Sequence, residues 1–285
     1  MGIFFALLSS IIIALGYILI KKSYEEFPPS VAFFLDVIFG LLIWIPFSLI
    51  IGIDTTQLPT VFLFAFISAI LSEAFIFYIF SKGEISITGT IFASYPIYTI
   101  LFSLSINHEK LTSLHWLFVL LTIIGTIIVS LPKKINKLEF KKKSYILWAL
   151  AGATAVGLSD SLSKNIIDQS SAPTFLFALA ITQLPIGLIY LKLEKQPLSQ
   201  FKSIINKFNQ YKYAIYGSFL IVIAMIFFWL AFEKTMASIA SPLTATYPGI
   251  MIILAITFLK EKVTKQELIG LITIIIGIIG ISYFY

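Results

Sequence analysis

Residues 75–130 read FIFYIFSKGEISITGTIFASYPIYTILFSLSINHEKLTSLHWLFVLLTIIGTIIVS, and residues 227–282 read FFWLAFEKTMASIASPLTATYPGIMIILAITFLKEKVTKQELIGLITIIIGIIGIS. A shift of 152 positions lays one on the other without a gap. Phe80 then meets Phe232, Lys82 meets Lys234, Ser86-Ile87 meets Ser238-Ile239, and Tyr95-Pro96 meets Tyr247-Pro248. Beyond these, Glu109-Lys110 falls on Glu261-Lys262, Thr112 on Thr264 and Gly125 on Gly277. Shared apolar character does not bring a proline, an acid–base pair and a threonine into register. The chain contains an internal duplication, and a repeat of this length sets the architecture.

The composition says what kind of molecule is duplicated. Of 285 residues, 59% are hydrophobic and 12% charged, with a mean hydropathy of +0.98. Soluble domains carry roughly half apolar and a quarter charged residues, so this is the composition of a polytopic membrane protein. There are no cysteines, which excludes disulfides and thiolate metal sites. The 20 basic residues are all lysine, so no arginine is available for bidentate phosphate or carboxylate recognition. The net charge of +6 lies in lysines between apolar runs, which suits loops beside a bilayer better than a nucleic-acid surface.

Ten apolar segments each approach the ~20 residues that cross a hydrocarbon core. They run over residues 3–20, 30–52, 58–80, 86–106, 112–131, 145–167, 173–192, 212–232, 237–259 and 266–284. Helices satisfy their own backbone in lipid, and the strict alternation of a barrel strand is absent. The expected fold is therefore all-α, ten transmembrane helices in two five-helix repeats, residues 1–131 and 145–285, joined by the basic linker 132–144. An odd number of spans per repeat turns the second upside down relative to the first, an arrangement common among transporters. The first segment lacks a basic leader and a small-residue cleavage site and reads as a retained span. Pro28-Pro29, Pro59 and Pro173 mark helix starts, where a missing N–H costs nothing. By this drawing the face with the termini holds Lys110, Lys164 and Lys234, and the opposite face the remaining lysines. The positive-inside rule then places that opposite face in the cytoplasm.

With Ala93-Ser94-Tyr95-Pro96 and His108-Glu109-Lys110-Leu111-Thr112 in one half, and Ala245-Thr246-Tyr247-Pro248 and Lys260-Glu261-Lys262-Val263-Thr264 in the other, the chain resembles the EamA family. That family belongs to the drug/metabolite transporter superfamily. The resemblance covers nearly the whole chain and implies movement of small metabolites or drugs, often outward, by alternating access. It also implies cytoplasmic termini, which the lysine distribution opposes, and an integral protein of a prokaryotic plasma membrane.

Three carboxylates fall inside spans: Asp36, Glu73 and Asp160. An intramembrane charge costs on the order of 3 kcal/mol or more, so such groups face a cavity or a partner, or else stand protonated or snorkel. Asp36 and Glu73 sit at similar depths from one face, so they meet or line one vestibule; Asp160 is as deep from the other. A carboxylate of raised pKa would couple transport to protons. Lys164, one turn after Asp160, either snorkels from its helix end or forms an ion pair with Asp160.

Pro96 and Pro248 are expected to kink the fourth and ninth helices as matched hinges, with Tyr95, Tyr98 and Tyr247 on the cavity wall or in ordinary packing. Gln183 and Trp229 are weaker wall candidates, and Tyr17 and Tyr78 suit an interfacial belt. Gly125, Gly270, Gly277 and Gly280 permit close helix approach within the bundle. His108 and His115 lack metalloenzyme spacing, no nucleotide-binding loop is present, and no cofactor is implied.

The sequence thus reads as a secondary transporter, without ATP, of a neutral, zwitterionic or cationic solute, acting as a monomer or homodimer with proton or other ion coupling. The other class it admits is an intramembrane enzyme or receptor reusing the bundle. Phosphorylated substrates are disfavoured because Lys164 is the one lysine near the expected path.

Overall fold

The computed structural model of the chain describes residues 1–21, 28–75, 92–131, 143–259 and 264–284. Those residues form helices and connecting turns, with no strand among them. The first half holds α1 (Gly2–Lys21), α2 (Pro29–Ile51), α3 (Leu58–Ser68), α4 (Tyr95–Ile106) and α5 (Ser113–Ser130). A π-helical turn, Ala69–Ala74, continues α3. The second half holds α6 (Lys143–Gln169), α7 (Ala172–Leu193), the short α8 (Ser199–Asn206), α9 (Phe208–Lys234), α10 (Ala237–Thr244), α11 (Tyr247–Leu259) and α12 (Lys265–Phe284). Among the described residues 8 segments are long and apolar enough to cross a membrane, α10 and α11 together supplying one. Of the third and fourth expected spans the described residues hold the apolar helices Leu58–Ser72 and Tyr95–Ile106, and residues 76–91 of those spans lie outside them.

Local chemistry accounts for the boundaries. Pro29, Pro59 and Pro173 stand in the first turns of α2, α3 and α7. Helix α12 opens with a capping box: Glu267 N–H donates to Thr264 Oγ1 at 3.2 Å, and Thr264 N–H returns to Glu267 Oε2 at 2.8 Å. At the equivalent place in α5, Thr112 caps His115 N–H at 3.3 Å.

The expected proline kinks are breaks instead. A proline ring collides with the carbonyl four residues back, and Thr244, four before Pro248, is the last residue of α10. A turn at Ala245-Thr246 intervenes and α11 begins at Tyr247. Likewise Ala93-Ser94 form a turn and α4 begins at Tyr95. Each Tyr-Pro thus starts a new helix rather than bending an old one.

Helix packing is reciprocal between the halves. The first helix of one half lies on the third of the other, as α1 on α9 and α3 on α6. The first of one also meets the fourth of the other, as α4 on α6 and α1 on α10 and α11. The second helices pair as α2 on α7, and the fifth as α5 on α12. The last pair approaches through glycine: a Cβ on Gly125 would lie 2.8 Å from Ile274 N and 2.9 Å from Gly270 O. These glycines serve packing inside the bundle.

Helix ends sort onto two faces. Gly2 abuts Thr235, Phe284 O lies 3.1 Å from His115 Nε2, and Asp54 N–H donates to Thr174 Oγ1 at 2.9 Å. That is the terminus face. On the opposite face Ser30 N–H donates to Glu194 Oε2 at 3.1 Å, and Gln266 Nε2 to Leu131 O at 3.0 Å. Between the faces the outer surface is apolar, with Leu42, Leu63 and Ile279 exposed, while Ser9, Thr99, Ser159, Ser161 and Ser241 are fully buried. Hydroxyls inside and hydrocarbon outside is the polarity a bilayer selects, because lipid cannot hydrogen-bond.

Candidate functional site

The site grows from the contact between α4 and α6. Gly157 permits it: a Cβ there would lie 2.5 Å from Tyr98 Cβ and 2.6 Å from Thr99 N, both well inside carbon contact distance. With the backbones this close, Thr99 Oγ1 donates to Asp160 Oδ2 at 3.0 Å. Ser161 Oγ donates to the Thr99 carbonyl at 3.0 Å, and the Ser103 and Ser161 hydroxyls pair at 2.8 Å. Asn107 Nδ2 adds a bond to the Ser161 carbonyl at 3.0 Å. From the broken helix of the second half, Ser241 Oγ donates to Thr99 Oγ1 at 3.2 Å. Asp160 is 2% exposed at the centre of this network.

Aromatic groups close around it. Tyr95 is buried with its ring stacked on Phe92, centroids 5.6 Å apart. It packs in one cluster with Ala153 and Val156 of α6 and with Ala245 at the second helix break. Tyr247 is half-buried and packs on Tyr17, with ring centroids 5.2 Å apart. Tyr98 packs with Phe92, Tyr95, Ala153, Val156 and Ala245. A second hydroxyl patch ties α6 to α3: Ser159 Oγ donates to Ser68 Oγ at 2.9 Å, and Ser72 Oγ to Ser68 O at 2.8 Å. The π-turn that holds Ser72 also contains the backbone of Glu73. Single π-turns inside α-helices are frequent at functional sites.

The structure therefore gathers Asp160, Tyr95, Tyr247 and Tyr98 at the two helix breaks, with Pro96 and Pro248 in the first turns that follow them. Among the described residues, Gln183 and Trp229 make no hydrogen bond to that network. Asp36 is half-buried two turns into α2, with Oδ1 shielded from solvent. The Glu73 side chain lies outside the described residues, and so does its expected meeting with Asp36; Tyr78 lies outside them too. Gln183 is 1% exposed beside Gly40, its Oε1 without a partner among the described residues. Trp229 sits in an aromatic cluster, 4.7 Å from both Phe175 and Phe228, and its Nε1 likewise has no such partner.

Lys164 takes partners other than the Asp160 of the ion-pair alternative. Lys164 Nζ pairs with Asp168 at 2.6 Å and donates to the Phe232 carbonyl at 2.7 Å. Phe232 lies in the last turn of α9, where carbonyls lack helical partners and the helix dipole favours a cation. The lysine, itself buried, is drawn to that helix end and to the exposed Asp168.

Thr99, Ser103, Ser161 and Ser241 escaped the sequence reading. A signal was present: Thr99, Ser103 and Asn107 recur every fourth residue along an otherwise apolar helix, one polar stripe on one face.

The described site therefore places one buried carboxylate, several hydroxyls and three tyrosines where discontinuous helices of both halves meet. That is where membrane carriers build a binding site. A crystal structure of another protein has the same fold, with a TM-score of 0.76 at 15% identity, covering 98% of this chain and 96% of that one. An uncharacterized protein, MJ1333.1, of Methanocaldococcus jannaschii is 44% identical over 70 residues. Those residues are 25% of this chain and 51% of the relative, so the chain spans about half the length of the curated relative it matches. The model of the EamA-like transporter family matches twice, over residues 1–131 and 143–283. With both halves matched, the chain is a polytopic membrane protein that belongs to the EamA-like transporter family.

Proposed function

We propose that this protein is a secondary transporter with ten spans in two inverted five-helix repeats, exporting a small neutral, zwitterionic or cationic solute by alternating access. The inversion is supported by the reciprocal packing of the halves and by the sorting of helix ends onto two faces. The observation that carries the reading is buried Asp160, held by the Thr99 hydroxyl of the first half, which in turn receives the Ser241 hydroxyl from the broken helix of the second half. A carboxylate among aromatic faces favours an amine-bearing solute. Lys164 is occupied by Asp168 and the Phe232 carbonyl, which removes the one expected anion clamp. Asp160, with Asp36 and Glu73, supplies carboxylates that would carry a coupled proton. The lysine-rich face is assigned to the cytoplasm by the positive-inside rule, and the archaeal relative supports a prokaryotic plasma membrane.

The test is counterflow in proteoliposomes with a panel of amines, amino acids and sugar phosphates. Saturable exchange of an amine or amino acid, reduced at least tenfold by Asp160→Asn, is expected. Preference for the phosphates, or full activity of Asp160→Asn, would refute the assignment.

A further inference from the structure

At the terminus face, residues 235–236 join α9 to α10, and two carboxylates tie this hairpin to its surroundings. Glu233 Oε2 accepts from Ala172 N–H, at the start of α7, at 2.9 Å. A second carboxylate comes from the other half of the molecule. Glu109, in the loop between α4 and α5, accepts Ala237 N–H at Oε1 (2.7 Å) and Ser238 N–H at Oε2 (3.0 Å). The Ser238 hydroxyl donates to the same Oε2 at 2.5 Å. Met236, at the N-cap position of α10, supplies no side-chain cap of its own. The first-turn amides of α10 are thus satisfied by a carboxylate borrowed across 128 residues.

The loop is shaped to deliver that carboxylate. His108 has φ +52°, a left-handed conformation that a side-chain-bearing residue adopts at a cost of about 1–3 kcal/mol. Glu109 N–H donates back to Ser103 O, on α4, at 3.3 Å. The residue is therefore anchored by its backbone to α4 and by its side chain to α10. These helices carry Thr99 and Ser241, whose hydroxyls meet at 3.2 Å. The Glu109 contacts and the Thr99–Ser241 contact thus both tie the α4 side to α10.

We propose that the carboxylate of Glu109 is the clasp that closes the transport path at the terminus face, capping α10 from the opposite half in this conformation and releasing it when that face opens. Glu109 touches none of the residues assigned to the solute, so it is a positioning residue acting through α10. The inference rests on the alternating-access reading above.

The absence of cysteine makes the test direct. Spin-label pairs report the terminus face from Ser105→Cys with Lys234→Cys, and the opposite face from Leu131→Cys with Lys195→Cys, each pair joining one half to the other; these positions are exposed. In reconstituted full-length protein, Glu109→Gln is expected to move the terminus-face pair toward longer distances while the opposite pair shortens. Ser238→Ala, a milder change for use should Glu109→Gln fail to fold, is expected to give a smaller shift of the same sign. Unchanged distances, or equal broadening at both faces, overturn the clasp. Face-specific shifts without solute flux in the unmodified protein would retain the clasp and refute the transport reading.

Discussion

Gly157→Ala tests whether the approach of α4 to α6 builds the site. The added methyl would start 2.5 Å from Tyr98 Cβ, 2.6 Å from Thr99 N and 2.7 Å from Tyr98 C. Two of these are backbone atoms, so no side-chain rotation relieves the clash. Carbon contacts need about 3.5 Å, so the helices must part by about 1 Å. Such a separation stretches the Thr99–Asp160, Ser161–Thr99 and Ser103–Ser161 bonds from 2.8–3.0 Å to about 4 Å, past hydrogen-bonding range. Overpacking costs about 1–3 kcal/mol, and interhelical bonds in membranes contribute about 0.6 kcal/mol each. The better helix propensity of alanine returns about 1 kcal/mol. The net loss is about 2–4 kcal/mol, read by denaturant unfolding in detergent, together with loss of counterflow. Gly187→Ala is the control, because its Cβ would meet the Phe34 ring at 2.7 Å and a ring can turn aside. A Gly157→Ala protein as stable and active as the Gly187→Ala protein would show that the close approach is not what assembles the site.

Two further outcomes follow from the helix ends. Thr264→Ala removes the capping box of α12 and should lower stability by about 1 kcal/mol without altering solute preference, measured by thermal unfolding and counterflow. Lys164→Met withdraws the cation from the Phe232 carbonyl and from Asp168; stability should fall by about 1–2 kcal/mol. The amine-over-phosphate preference should survive that change, and its collapse would return Lys164 to the solute path.

Much of the molecule was legible because two signals survive without coordinates. A lipid-crossing segment must be a helix wherever its neighbours lie, so apolar length alone marked helices near Gly2–Lys21, Ala172–Leu193 and Lys265–Phe284. The repeat then matched Tyr95-Pro96 with Tyr247-Pro248, and both proved to start new helices. Asp160 was visible as a charge with no business in hydrocarbon unless it served something. Thr99 and Ser241 were not, because a hydroxyl in a membrane helix usually bonds back to its own carbonyl four residues earlier, as Thr126 and Thr182 do here.

Sequence by itself determined the class of molecule, the doubled plan, the helix starts and the polar residues that needed an explanation. These depend on local chemistry, on proline geometry and on what a bilayer will accept. Only the tertiary structure decided which partners those residues take. Lys164 turned to Asp168 and the end of α9 rather than to Asp160, and Glu109 reached across the two halves to α10. A helical residue has several neighbours within side-chain reach, and the choice among them is made by the open carbonyls and amides that other helices bring to the same place.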